Sequence, residues 1–155
     1  MTDKITFTSL ADLQAHAGQE ITVTDWLTIE QSRIQQFADA TGDQQWIHID
    51  EERARRESPY GTTVAHGFLT LSMLAEFLQS SVACHGTTMG VNYGLNKVRF
   101  PAPVRSGERI RCRIRLDSVE PLAGSAAQIT WSATIEIDQG DKPACVAEMV
   151  TRWYF

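Results

Sequence analysis

The sequence predicts an α+β domain in which an antiparallel sheet wraps around one buried helix. Residues 66–82 are apolar on most sides of a helical projection, the pattern of a helix enclosed by protein. C-terminal to it, four segments read as strands. Two of these alternate strictly between apolar and polar residues, as strands with one wet face do. The 155 residues, 43% hydrophobic and 21% charged, are enough to bury a core and are read as one domain spanning 1–155.

The elements follow in order. The N-terminal residues up to Glu20 read as an arm with a short helix at 10–16, and 21–26 can form a strand. Thr28 is the expected N-cap of the next helix, with Gln31 three residues later completing a capping box. Ile34, Phe37, Ala38 and Thr41 then fall at i, i+3, i+4 and i+7, one core-facing stripe that Gly42 ends as the residue past the C-terminus. Residues 43–48 are therefore expected in a loop. Residues 50–57 make a short exposed helix capped by Asp50, and Pro59 and Gly61 mark a loop. The strands are expected at 89–100, 109–119, 128–137 and 144–154. In the second, Ile110, Cys112, Ile114 and Leu116 oppose Arg109, Arg111, Arg113 and Arg115. In the third, Ile129, Trp131, Ala133, Ile135 and Ile137 oppose polar neighbours.

Composition excludes several classes. A net charge of −5 argues against a general nucleic-acid binder. Cys84, Cys112 and Cys145 are an odd number without CxxC spacing, which points to reduced core thiols and a cytoplasmic setting. Residues 1–10 show no secretory leader. The apolar run 68–83 is broken by Thr70, Ser72, Glu76, Gln79, Ser80 and Ser81, so no membrane span is expected. No GxGxxG or P-loop pattern occurs, and no cofactor is expected.

The residues with chemistry gather in two motifs. Thr41-Gly42-Asp43-Gln44-Gln45-Trp46-Ile47-His48 sets a carboxylate and an imidazole five positions apart just after a helix stop. Extended, they would lie up to ~17 Å apart. If the loop curls at Gly42, they could together hold and deprotonate a water. Otherwise Asp43 caps a turn and His48 is a half-buried polar residue. In the second motif, His66-Gly67 opens the buried helix. Gly67 either presents its N–H to a developing oxyanion or only permits close packing. His66 is either a site residue or the anchor of a loop. A metal site built from Asp43, His48, His66 and His85 matches no ligand spacing, so none is expected. Ser72 lacks a nucleophile elbow, and Glu76 is a carboxylate on the same helix. The four alternating arginines read as a solvated face or as phosphate contacts, and Asn96, Lys97 and Arg99 form a second candidate phosphate patch.

These residues also carry a resemblance. The runs Phe37-Ala38-Asp39-Ala40-Thr41-Gly42-Asp43, Ile47-His48, Val64-Ala65-His66-Gly67 and Val98-Arg99-Phe100-Pro101-Ala102-Pro103-Val104, with Gly107, occur in one order. The chain resembles the MaoC-like dehydratases, the family of (R)-specific enoyl-CoA hydratases, and within it the small nodulation protein N type. The resemblance implies a hot-dog fold, a homodimer, and an acyl-CoA or acyl-carrier thioester substrate. It implies that Asp43 and His48 hold the attacking water while the Gly67 N–H meets the thioester oxygen. Gln45, Trp46, His66, Ser72, Asn96, Lys97 and Arg99 are the candidate substrate contacts. The family's Asp-x-Asn-Pro-x-His pattern is altered here, with Gln45-Trp46 in place of Asn-Pro. Three other readings stay open: a thioesterase using Glu76, a non-catalytic thioester-binding module, and a structural subunit.

Overall fold

Alternation becomes a sheet. In the computed structural model, which describes residues 3–155, six antiparallel strands run in the order β2 (Gln19–Val23), β6 (Arg109–Leu122), β7 (Ala126–Ile137), β8 (Cys145–Tyr154) and β5 (Met89–Arg99), with β3 (Leu27–Thr28) also pairing with β6. Met1 and Thr2, the first residues of the expected arm, lie outside the described residues. The inward faces of β6 and β7 are those expected: Ile110, Cys112, Ile114, Leu116, Ile129, Trp131 and Ile135 are almost fully buried. They pack in one cluster with Leu69, Met73, Leu74, Phe77 and Leu78 of the central helix α5 (Gly67–Ser81). That helix is about 22 Å long. Trp131, the bulkiest of these buried side chains, donates its Nε1–H to Thr151 Oγ1 at 2.9 Å, so its polar edge is satisfied.

The outward face of β6 is a charge ladder. Arg109 pairs with Asp138, Arg111 and Arg113 share Glu136, Arg113 also reaches Glu20, and Arg115 meets Asp117. Each arginine already has a carboxylate partner, which supports the solvated-face reading over phosphate contact. Exposed pairs of this kind contribute about 0–1 kcal/mol each.

Three local features differ from the sequence reading. The helix expected to start at Thr28 is α2 (Gln31–Thr41). Its N-cap is Glu30 with no side-chain cap bond, so the capping box does not form. Gln31 instead sends its side chain to another part of the chain. The expected loop 43–48 contains a helical turn, α3 (Trp46–Ile49). Finally, β1 (Ile5–Phe7), which precedes α1 (Leu10–Ala15), and β4 (Val82–Cys84), which directly follows α5, form a parallel two-stranded ladder. Three-residue strands are too short to show alternation. By contrast α4 (Glu51–Glu57) is capped as expected, Asp50 accepting from the Arg53 N–H at 2.9 Å.

The edge strand β5 stands apart. Nearly all of it is exposed, and Met89, Val91, Tyr93 and Leu95 keep 41–57% of their surface open. Among the described residues, no helix is long and apolar enough to cross a membrane.

Candidate active site

The site starts from the end of α2. Gly42 takes φ +81°, a left-handed conformation that costs a glycine little, and its N–H closes on Ala38 O at 2.8 Å. The chain turns there, and α3 then brings His48 back. His48 is 9% exposed, and its Nδ1 lies 2.7 Å from the Val64 carbonyl. A carbonyl can only accept, so Nδ1 carries the hydrogen and Nε2 keeps its lone pair. Burial pushes the His48 pKa below its ordinary 6.5. The Val64 bond opposes this, neighbouring His66 adds to the lowering, and Asp43 opposes it weakly. His48 is thus a neutral imidazole at pH 7, suited to accept a proton.

His66 holds this arrangement together. It is 3% exposed, and its ring stacks on His48 with centroids 3.8 Å apart and lies 4.9 Å from Phe37. Its Nε2–H donates to the Asp43 backbone carbonyl at 3.0 Å. The Asp43 carboxylate, half exposed, lies 4.0 Å from the same nitrogen. The carboxylate of Asp43 and ring nitrogens of His48 and His66 all fall within 4.8 Å of one another. Two hydrogen bonds of about 2.8 Å to one water span about 4.6 Å, so the loop does curl to water-sharing distance. A metal ion suits the group less well. His66 Nε2–H is already committed to the Asp43 carbonyl, and His48 Nδ1–H to the Val64 carbonyl.

Gly67 is the first residue of α5, and the N-cap His66 supplies no side-chain cap. The first-turn N–H groups, at the positive end of the helix, are therefore not occupied by that side chain. Close packing also explains this glycine. A Cβ at Gly67 would sit 3.1 Å from Phe100 Cδ2, tighter than ordinary contact. A cavity of about 380 Å³ lined by Gly67, Thr70, Phe100, Pro103 and Ala144 opens beside it. Phe68, 69% exposed, meets the Phe100 ring edge-on at its rim.

The other candidate contacts separate from this cluster. Gln45 is exposed in the curled loop, and the half-buried Trp46 ring is covered by the Arg53 guanidinium at 4.3 Å. Ser72 bonds back to Phe68 O at 2.7 Å and lines a groove between α5 and β5. Asn96 is tied to Glu148 at 2.6 Å, Arg99 to the Val98 carbonyl at 2.7 Å, and Lys97 is exposed; none of the three lines the cavity at Gly67. His66 is enclosed against the Asp–His pair, so its position fits loop anchoring better than substrate contact. Glu76 is paired with Arg33 at 3.0 Å and half exposed, which disfavours it as a catalytic base. Sequence reading missed Gln31, Thr63 and Phe100 as neighbours of the site, because their roles depend on contacts between segments distant in the chain.

An antiparallel sheet around one helix defines a hot-dog domain, and in this one Asp43 and His48 come together at the start of that helix. Residues 12–135 match the family model described as MaoC like domain. The chain is 50% identical to 3-hydroxyacyl-thioester dehydratase Z of Mycobacterium tuberculosis over 148 residues, covering 96% of this chain and 97% of the relative. It is 44% identical to Nodulation protein N of Rhizobium leguminosarum bv. viciae over 144 residues, covering 92% and 89%. The fold also matches the unliganded R-hydratase PhaJ1 of Pseudomonas aeruginosa with a TM-score of 0.69, at 20% identity over 94% of this chain and 84% of that one. The chain belongs to the MaoC-like dehydratase family.

Proposed function

We propose that this protein interconverts a trans-2-enoyl thioester and water with the (R)-3-hydroxyacyl thioester, the acyl group being carried by CoA or a carrier protein. The observation that carries the reading is the approach of Asp43 and a neutral, buried His48 to water-sharing distance beside the start of α5. The name of the Mycobacterium relative, a 3-hydroxyacyl-thioester dehydratase, supports the substrate class.

In this reading Asp43 orients the water by accepting one of its hydrogens. His48 Nε2 takes the other as the water oxygen bonds to C3. Electrons of the C2–C3 double bond move toward the thioester carbonyl, and the Gly67 N–H stabilises the negative charge on its oxygen. The imidazolium then returns the proton to C2, so one water is added and His48 is regenerated. Dehydration is the same path in reverse.

The homodimer is part of the proposal. An 11-residue edge strand with exposed apolar side chains is an association surface unless it is paired, and a second β5 running antiparallel would cover it. Sedimentation of the wild type against Val91→Lys/Leu95→Lys tests this: a dimer that becomes monomeric supports it, and a monomeric wild type rejects it.

The activity is tested by following the enoyl-thioester absorbance of crotonyl-CoA with wild type, Asp43→Asn and His48→Ala. Loss of the band with wild type alone, without thiol release, is the expected result. Free thiol in the wild-type reaction would transfer the case to thioesterase chemistry, and no reaction with several chain lengths would leave a binding module.

A further inference from the structure

We propose that Gln31 and Thr63 form a clamp that fixes the tautomer and aim of His48, a positioning role that rests on His48 being the base of the proposed reaction. Gln31 opens α2, and its side chain is held at both ends. Its Oε1 accepts from the Thr63 hydroxyl at 2.6 Å, and its Nε2 donates to the His48 backbone carbonyl at 2.7 Å. The two bonds fix the amide orientation, since the oxygen can only accept and the nitrogen only donate. Thr63 is 1% exposed, so its hydroxyl has no recourse to bulk water.

The clamp joins the two segments that define the His48 ring. Thr63 immediately precedes Val64, whose carbonyl takes the Nδ1–H and whose N–H donates to Ile47 O at 3.1 Å. The turn at 47–48 and the strap at 63–64 are therefore tied directly by the two Val64 bonds. They are tied again, through Gln31, by the Thr63 and His48 carbonyl bonds. Only the direct Nδ1 bond sets the tautomer. It holds only while the His48 backbone and the Val64 carbonyl keep their spacing, which the Gln31 bridge reinforces alongside the Val64 N–H bond to Ile47 O. If the bridge is lost, the ring can shift away from Val64 and move its hydrogen to Nε2, where it no longer accepts a proton from water. Misplacement of a reacting group by about 1 Å can cost on the order of a hundredfold in rate.

The test uses the full chain with Gln31→Met, which keeps length without hydrogen bonds, and with Thr63→Val against Thr63→Ser. Long-range ¹H–¹⁵N spectra report which ring nitrogen of His48 carries the proton, and crotonyl-CoA hydration gives kcat and KM. Wild type and Thr63→Ser should show the Nδ1–H form. Gln31→Met and Thr63→Val should show a mixture and lose about ten- to hundredfold in kcat with KM little changed. The double variant Gln31→Met/Thr63→Val should be no worse than Gln31→Met alone. A His48 that keeps the pure Nδ1–H form in Gln31→Met and Thr63→Val overturns the clamp. If Gln31→Met does not fold, the Thr63→Val and Thr63→Ser pair decides. The spectra need no turnover, so an inactive wild type whose tautomer still responds would reject the proposed reaction and leave the clamp standing.

Discussion

The two ends of α5 are built on different plans. At its start, buried polar groups crowd together: His66 stacks on His48 and bonds to the Asp43 carbonyl, with Gln31 and Thr63 strapping the next turn. At its end, Phe77, Leu78 and Val82 sink into the apolar cluster, and β4 continues the chain into a small parallel ladder. One end spends stability on fixing side-chain direction, and the other supplies stability through burial. The helix thus holds a costly polar junction in place from an inexpensive apolar anchor.

The largest effect expected is at the polar end. Asp43→Asn and His48→Ala should each lower kcat by about 10²–10⁴-fold while the melting transition is retained, measured by crotonyl-CoA hydration and circular dichroism. Collapse of the fold in both variants would show that the pair is structural and erase the contrast. At the apolar end, Phe77→Ala should destabilise by about 3–5 kcal/mol in urea titration, with turnover per folded molecule unchanged. A fall in turnover under conditions where the variant is fully folded would show that the two ends are coupled. Gly67→Ala sits between these cases. It overpacks Phe100 and should cost about 1–3 kcal/mol of stability, together with a loss of kcat larger than any change in KM.

The smallest effect is a pH dependence. The native pKa of His48 is lowered below 6.5, so the unfolded chain binds its proton first as pH falls. The contribution is fully present above pH 6.5 and is lost as pH drops from there through the lower native value. The acid limb of kcat/KM should likewise lie below pH 6.5. Replacing His48 should flatten the stability profile in that window; an unchanged profile would assign the titration elsewhere.

The apolar end was legible in the sequence and the polar end only partly so. Burial leaves a local period, and the alternation of Ile110 to Leu116 with four arginines shows it clearly. The Gly42 turn and the Asp50 cap were legible too, because each acts within four residues. Gln31 misled for the same reason. Its spacing from Thr28 fits a cap, but its partners are His48 and Thr63, 17 and 32 positions away. The approach of Asp43 to His48 required the whole loop to curl, and the resemblance to known relatives supplied what spacing alone left open. The β1–β4 ladder was missed because three residues carry no measurable period.

The thiols offer a way to time the molecule's opening. Burial raises the Cys112 thiol to about 12 and the Cys145 thiol to about 11, and pushes the Cys84 thiol upward as well. Alkylation requires a thiolate in contact with reagent, so closed molecules are protected twice over. Cys112 and Cys145 lie on strands inside the six-stranded sheet, whereas Cys84 ends a ladder of three residue pairs. Labelling of Cys84 therefore follows breathing of the periphery, and labelling of the other two follows unfolding of the sheet. The ratio of those rates measures how independently the margin of the domain moves, without any probe being added to the chain.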